Sequence, residues 1–382
     1  MNRLEQVAGG LLIVFVLADV FLTVLYARVG TGILSARLAR FQWRLFKPFA
    51  RLFGTNRGKA MSFCAPTILI SLVAAWALLL AIGAALMIHP ALGTAVRTNR
   101  GETPLDFVTA FYAGAGSLSF VGSGEFAPHS SAYRLLFTFN SLVGISVMSL
   151  TLTYLMQVYT ALRQRNTFGL KLHLMSGETA DAAELVAGLG AQGKFDTTYS
   201  VLAEIAAEAA MVKEAHHFYP VLAFFRFRNP FYSMSAPLVL GLDSVSLIRS
   251  ALDDDEYGWL KESTAVNLLW RAMLMSTPLL DEAYAHDGKA AHGEPPDDAT
   301  RDRWRRRYLA AAARLREAGV KIRTDERRGV EIYISLRAEW EHRIRMLAAS
   351  MEYVMVEVDP GGMHPATTEA LPPFENRLRA VG

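Results

Sequence analysis

The chain has 382 residues, of which 52% are hydrophobic and 20% charged, and its mean hydropathy is +0.21. This composition is unusual for a soluble enzyme of that length, and the formal net charge of +3 is too small to indicate a nucleic-acid-binding protein. The single cysteine, Cys64, excludes an intrachain disulfide and a zinc site built from cysteines.

Three apolar stretches predict membrane-spanning helices, because a bilayer core is crossed by about 20 helical residues. They comprise residues 7–27, 65–88 and 133–162, and the third is long enough to cross and then project beyond the membrane. A signal peptide is the alternative for the first stretch. The segment before it carries only Arg3 as a basic residue, and no A-x-A cleavage site follows, so an uncleaved helix is favoured.

Asp19 places a carboxylate inside the first predicted span, where an unpaired charge costs a few kcal/mol. Two interpretations are open. The carboxylate accepts a hydrogen bond from a Ser, Thr or Tyr on a neighbouring helix, or it takes part in gating or proton sensing.

The basic residues predict the orientation of the chain. Residues 28–60 carry eight Lys and Arg and no Asp or Glu, and Arg163, Arg165 and Lys171 follow the third span. Both segments are therefore predicted to be cytoplasmic, which places the N-terminus and residues 89–132 outside. Within the first of them, "LSARLARFQWRLFKPFARLF" alternates basic with apolar residues. At helical spacing this predicts an interfacial helix at the lipid headgroups, with an amphipathic linker packed on protein as the alternative.

The outer segment contains "PLDFVTAFYAGAGSLS", residues 104–119, which is apolar but only about half the length needed to cross. Such a stretch indicates a buried or re-entrant helix. It is followed by "FVGSGEFAP", residues 120–128, where two glycines stand one residue apart ahead of a carboxylate. Non-helical backbone at membrane depth is tolerated only when it is buried in protein or lines a water-filled cavity.

This arrangement resembles the potassium-channel pore family, over roughly residues 62–165. The family has an outer helix, a pore helix, a filter with the pattern T-V-G-Y-G-D, and an inner helix. Val121, Gly122 and Gly124 match the filter pattern, Glu125 replaces its aspartate, and Pro128 stands where the family often has proline. An extra N-terminal helix is also similar to that of some bacterial channel-like proteins.

The resemblance implies an all-α membrane fold with a pore helix over 105–118 and a filter of backbone carbonyls, which replace the hydration shell of a cation. The residues implied in the filter are Ser119, Phe120, Val121, Gly122, Ser123 and Gly124. Glu125 would line the outer mouth, and Gly144, 20 residues beyond Gly124, would be the gating hinge. One chain carries one pore loop, so a homotetramer is implied.

Two residues depart from the family pattern. Ser123 stands where an aromatic residue braces the filter, and Phe120 stands where a threonine hydroxyl forms the innermost ion site. The choice between potassium and sodium is therefore left open.

The predicted domains are an N-terminal transmembrane and interfacial part (1–61), a pore domain (62–165), a helical cytoplasmic domain (166–358) and a flexible tail (359–382). Apolar residues at helical spacing predict several helices in the third part. "GLGAQG", residues 188–193, fits G-x-G-x-x-G but follows a helical pattern, which favours a helix end over a dinucleotide site. "RDRWRRR", residues 301–307, is expected to form a solvated helix face, with binding to lipid headgroups or an acidic partner as the alternative.

The predicted function is a cation channel of the inner membrane that conducts monovalent cations and is gated by its inner helix and cytoplasmic domain. No enzymatic activity, resident metal, cofactor or nucleic-acid partner is expected. The alternative is a non-conducting, channel-derived membrane scaffold or sensor.

Overall fold

A computed structural model describes residues 2–26, 32–53, 57–119, 122, 124–277 and 295–363. Among these residues, three helices are long and apolar enough to cross a membrane: Arg3–Leu25, Arg57–Ala91 and Ser131–Met175. The predicted all-α membrane fold is confirmed, with one apolar helix ahead of the other two and a helical part after them. The chain divides into two compact units, comprising Met1–Lys47 with Phe63–Tyr159, and Pro48–Ser62 with Thr160–Gly382.

The first unit holds the apolar helices and a two-stranded ribbon. In chain order its elements are α1 (Asn2–Val20, continued by a π-helical turn, Phe21–Leu25), most of α2 (Ile33–Arg51), α4 (Cys64–Ile88), β1 (Val96–Thr98), α5 (Phe107–Leu118), β2 (Phe126–Pro128) and the first part of α6 (Ser131–Met175). Between α2 and α4 lies α3 (Arg57–Ser62), which belongs to the second unit.

Two apolar clusters position α5, the predicted pore helix. One joins α1, α4 and α6 through Ile13, Val16, Val20, Leu72, Trp76, Leu80, Val143 and Val147. The other joins the end of α4, α5 and the ribbon through Ala85, Ile88, Ala91, Leu92, Val96, Ala110, Ala113 and Phe126. Because α5 contributes small alanines to this cluster, it packs closely between the outer helix and the ribbon.

The regular elements among the described residues of the second unit are helices, joined by turns and short loops. After the last turns of α6 it contains α7 (Ala182–Leu189), α8 (Thr198–Phe218), α9 (Ser235–Ala251), α10 (Asp254–Lys261), α11 (Thr264–Met275), α12 (Asp298–Glu317), α13 (Glu326–Ser350), α14 (Met355–Val358) and α15 (Pro360–Met363). The helix-end interpretation of "GLGAQG" is confirmed, since α7 ends at Leu189 and Gly190 is its C-cap.

Buried charges join α7, α9, α12 and α13 inside this unit. Arg307 contacts Asp181 at 2.5 Å and Asp243 at 3.0 Å. Arg337, which is fully buried, contacts Asp243 at 3.0 Å and Glu341 at 2.6 Å. Burial acts to raise the pKa of Asp243, but the adjacent guanidinium groups hold it below its ordinary value. We call Asp181, Asp243, Arg307, Arg337 and Glu341 the buried ionic network.

The structure of this unit differs from two expectations based on the sequence. Arg307 is only 6% exposed, and Arg303 pairs with the buried Glu341, so part of "RDRWRRR" faces the interior rather than solvent. Asp359, the predicted first residue of the tail, is buried and pairs with Arg337. The described helices therefore extend to residue 363, inside the predicted tail, and residues 364–382 lie outside the described residues.

Candidate ion-conduction site

The pore helix α5 begins at a side-chain cap and ends against the inner helix. The carboxylate of Asp106 accepts a hydrogen bond from the backbone N–H of Thr109 at 3.0 Å, which satisfies one of the free donors at the helix start. At 12 residues α5 is too short to cross a bilayer, as the sequence predicts. Its C-terminal carbonyls carry the negative end of the helix dipole, which favours a cation beyond Leu118.

Polar side chains of α6 hold the C-terminal turn of α5. Asn140 Nδ2 donates to Ser117 Oγ at 2.9 Å, and Ser141 Oγ donates to the Ser117 backbone carbonyl at 2.9 Å. Ser117 Oγ in turn donates to the Gly114 carbonyl at 2.7 Å. Asn140 is fully buried, so these bonds are shielded from water and fix the pore helix to the inner helix.

Gly144 lies where α6 packs closely against the C-terminal end of α5. A Cβ atom at this position would stand 1.9 Å from the carbonyl oxygen of Leu118. The absence of a side chain is therefore required for packing here, whatever part Gly144 also takes in gating. Its predicted role as a hinge stays a prediction.

The predicted filter follows α5 directly. Ser119 is the C-cap of that helix, and its carbonyl accepts a bond from Gly122 N at 3.2 Å. Gly122 and Gly124 both have positive φ, 73° and 59°, a conformation that glycine adopts without steric cost. Their positions fit the alternating backbone of a carbonyl filter. The other predicted filter residues, Phe120, Val121 and Ser123, lie outside the described residues.

The ribbon binds the outer end of this loop. Val96 pairs with Pro128 and Thr98 with Phe126 in the antiparallel register. The pairing continues past the strands, since Asn99 N donates to the Glu125 carbonyl at 2.7 Å. The Asn99 side chain also donates, through Nδ2, to the Gly124 carbonyl at 2.6 Å. Glu125, the predicted outer-mouth carboxylate, is exposed.

Asp19 is buried at 1% exposure, and its two partners differ from those expected. Oδ1 accepts from the backbone N–H of Leu34 at 2.8 Å, and Oδ2 accepts from the Trp76 indole N–H at 2.9 Å. The carboxylate thus satisfies a donor in the first turn of α2 and ties that turn to α4. The partners are a backbone amide and an indole rather than a Ser, Thr or Tyr.

Several of these residues do not follow from sequence reasoning. Asn140 and Ser141 are polar residues inside an apolar span, which is a recognised signal of an intramembrane contact, but it does not name the partner. Asn99 carries no such signal, because a polar residue in an outer loop is ordinary. Its contact with Gly124 depends on the register of the ribbon.

The comparisons with known proteins agree with this geometry. Residues 59–161 match the family model described as "Ion channel". The chain is also similar to an uncharacterized membrane protein, YdjJ, of Bacillus subtilis (strain 168), at 23% identity over 225 residues. That alignment covers 59% of this chain and 64% of the relative, so it spans less than two thirds of the relative's length. No solved structure matches the chain.

The family match coincides with α4, α5, the glycine loop and most of α6. The predicted resemblance of residues 62–165 to the channel pore family is therefore confirmed, since residues 59–161 match the ion-channel family model in a chain with three helices able to cross a membrane.

Proposed function

We propose that this protein is a tetrameric channel of the inner membrane that conducts monovalent cations, without enzymatic activity of its own. The observation that carries the proposal is a short helix whose C-terminal end leads into a loop with positive φ at Gly122 and Gly124. Such a loop presents backbone carbonyls as ion ligands, and four exposed Glu125 carboxylates at its mouth would raise the local cation concentration.

The exposed face of α6 supports a tetramer. Only 11% of the apolar stretch of α6 is buried within one chain, whereas 50% of the apolar stretch in the segment that contains α4 is buried. Large apolar side chains along α6 are therefore open, among them Leu135, Leu142, Met148, Leu152 and Met156. Neighbouring inner helices around an axis would cover part of this surface and line the path for ions.

The last turns of α6 support gating by the cytoplasmic domain. These turns belong to the second unit, where Arg165 is buried. Its guanidinium donates to the carbonyls of Leu222 at 2.8 Å and Phe225 at 3.2 Å. A change in this domain would therefore act directly on the helix that lines the pore.

The second unit also includes α3, which immediately precedes the outer helix. Arg57 of α3 forms an ion pair with Glu352, just after the end of α13. Glu352 has a φ of 62°, in the left-handed region that non-glycine residues rarely adopt. Strain at a residue that also makes a specific contact suggests a functional reason for the residue. We propose that this ion pair couples the domain to the outer helix.

The surface of α2 supports its placement at the cytoplasmic headgroups. Phe41 is 64% exposed and Leu45 59% exposed, and both lie on a helix whose charged residues are all basic. An apolar stripe flanked by cations suits an anionic membrane surface. This position agrees with the proposed cytoplasmic location of residues 28–60.

Ion flux from liposomes that contain the purified full-length protein tests the proposal. We expect flux with K⁺ or Na⁺ inside and none without a permeant monovalent cation. Gly122→Ala should abolish flux while the tetramer stays intact in size-exclusion chromatography, because alanine at a φ of 73° distorts the filter. Gly101→Ala, also at positive φ but in the outer loop, is the matched control and should conduct. An intact tetramer without flux in any cation would contradict the channel and favour the scaffold or sensor.

A further inference from the structure

The outer end of the predicted filter is held by an asparagine from a different loop. Asn99 directly follows β1, and its side-chain Nδ2 lies 2.6 Å from the Gly124 carbonyl oxygen. A carbonyl oxygen can only accept, so the nitrogen of the amide must face it and the assignment of the two amide atoms is unambiguous. An aspartate at this position could not make the bond while ionised.

The loop that carries Asn99 has a fixed position relative to the pore helix. Val96 of β1 is fully buried, and Phe126 of β2 packs in the same cluster as Ala110 and Ala113 of α5. The ring of Phe126 also contacts Tyr112 edge to face, with the ring centroids 5.9 Å apart. Asn99 is thus attached to a rigid support, which lets one hydrogen bond set the direction of a filter carbonyl.

The turn beyond Asn99 is fixed as well. Thr98 N donates to Thr103 Oγ1 at 3.0 Å, and the two threonine hydroxyls lie 3.2 Å apart. These bonds close residues 98–103 into a turn without touching the filter. Breaking these bonds loosens the turn without removing the contact between Asn99 and Gly124, which makes such a variant a control.

We propose that Asn99 is a positioning residue for ion selectivity. By donating to Gly124, it fixes the orientation of that peptide and hence the width of the filter at its outer end. An external brace compensates for position 123, which is Ser where the family that this segment resembles has the aromatic residue that braces the filter. Asn99 holds the filter from the outer ribbon instead. This inference rests on the proposed channel function.

The test is the ratio of K⁺ to Na⁺ flux in liposomes, measured for the wild type and for Asn99→Ala. Asn99→Ala releases the Gly124 carbonyl in each subunit but keeps the backbone bond from Asn99 N to the Glu125 carbonyl, and we expect the ratio to move toward one by about three- to tenfold. Asn99→Asp should lower the discrimination in the same way, although its added negative charge can raise total flux. The ratio is therefore measured rather than the rate.

Thr103→Val is the matched control, because it removes the bond from Thr98 N but leaves the Gly124 carbonyl untouched. Its flux ratio should equal that of the wild type, with all variants tetrameric by size-exclusion chromatography. A conducting wild type whose ratio is unchanged in Asn99→Ala would overturn the inference alone. An equal change in Thr103→Val would overturn it too, because the turn rather than the Gly124 contact would then control the ratio. A wild type without any flux would overturn the proposed function.

Discussion

The substitution Glu352→Gly tests whether the ion pair between Arg57 and Glu352 affects gating without a change in the free energy of unfolding. Glu352 follows the last turn of α13 in a Schellman arrangement, in which Tyr353 N donates to the Ala348 carbonyl at 2.8 Å and Glu352 N to Ala349 at 3.1 Å. Glycine is the preferred residue at such a position, and a side chain there costs roughly 1 kcal/mol. Glu352→Gly removes that strain and, with it, the carboxylate that pairs with Arg57.

The two effects on the free energy of unfolding nearly cancel. The Arg57 side chain is 36% exposed and that of Glu352 13% exposed, so solvent screens the pair and it contributes about 0.5–1 kcal/mol. Glu352→Gly should therefore unfold within about 1 kcal/mol of the wild type. If the pair stabilises one state of the gate, the same 0.5–1 kcal/mol shifts basal flux by about two- to fivefold.

The assay is basal K⁺ flux of the full chain in liposomes, together with thermal unfolding in detergent. Arg57→Gln should shift flux by the same factor and in the same direction as Glu352→Gly, and the double variant should show no further change. Glu178→Gly is the matched control, because Glu178 is also left-handed, with φ 63°, and pairs with no charged residue among those described. Additive effects of Arg57→Gln and Glu352→Gly, or an equal shift in Glu178→Gly, would refute the coupling.

Three further predictions concern buried groups. Asp19→Ala leaves the Leu34 N–H and the Trp76 indole without their acceptor, so it should lower the free energy of unfolding by about 2–5 kcal/mol, and a loss below 0.5 kcal/mol would contradict the buried contact. Gly144→Ala should cost about 1–3 kcal/mol in thermal unfolding, since its methyl group meets the Leu118 carbonyl, whereas a purely flexible hinge would tolerate alanine at little cost. Burial and the nearby guanidinium of Arg165 lower the pKa of His216 from 6.5 to about 4, so the unfolded chain binds a proton that the folded chain does not between these values. The free energy of unfolding is therefore not reduced by His216 above pH 6.5, and it falls by on the order of 3 kcal/mol between pH 6.5 and pH 4. His216→Phe should flatten this part of the pH–stability curve, measured by thermal or denaturant unfolding.

The elements of the first unit follow closely from local sequence. Predicted residues 65–88 are found as Cys64–Ile88, and the predicted pore helix 105–118 as Phe107–Leu118. Bilayer thickness sets the length of an apolar helix, and a short apolar stretch between two spans has few alternatives. Both predictions depend only on residues that are contiguous in the sequence.

Partners that are distant in sequence could not be predicted. Asp19 signals an intramembrane contact, but its partner Trp76 lies 57 residues away, and its other partner is a backbone amide of Leu34 without any sequence signature. The pair Arg337–Asp243 spans 94 residues. The pattern of charged residues on a helix distinguishes the exposed face from the buried face only when the buried face is apolar. The buried face that contains Arg307 is charged, so the sequence predicts exposure there and the prediction is wrong.

The buried ionic network constrains how the cytoplasmic domain can diverge. Removing Asp243 alone would leave the buried guanidinium groups of Arg307 and Arg337 without the carboxylate that they share, whereas replacing all members by well-packed apolar residues can be neutral. Single changes are therefore expected to cost more stability than replacement of the whole network. Relatives that keep this domain should retain Asp243, Arg307 and Arg337 together or lose all three, so the triplet can serve as a marker of shared ancestry where overall identity is low.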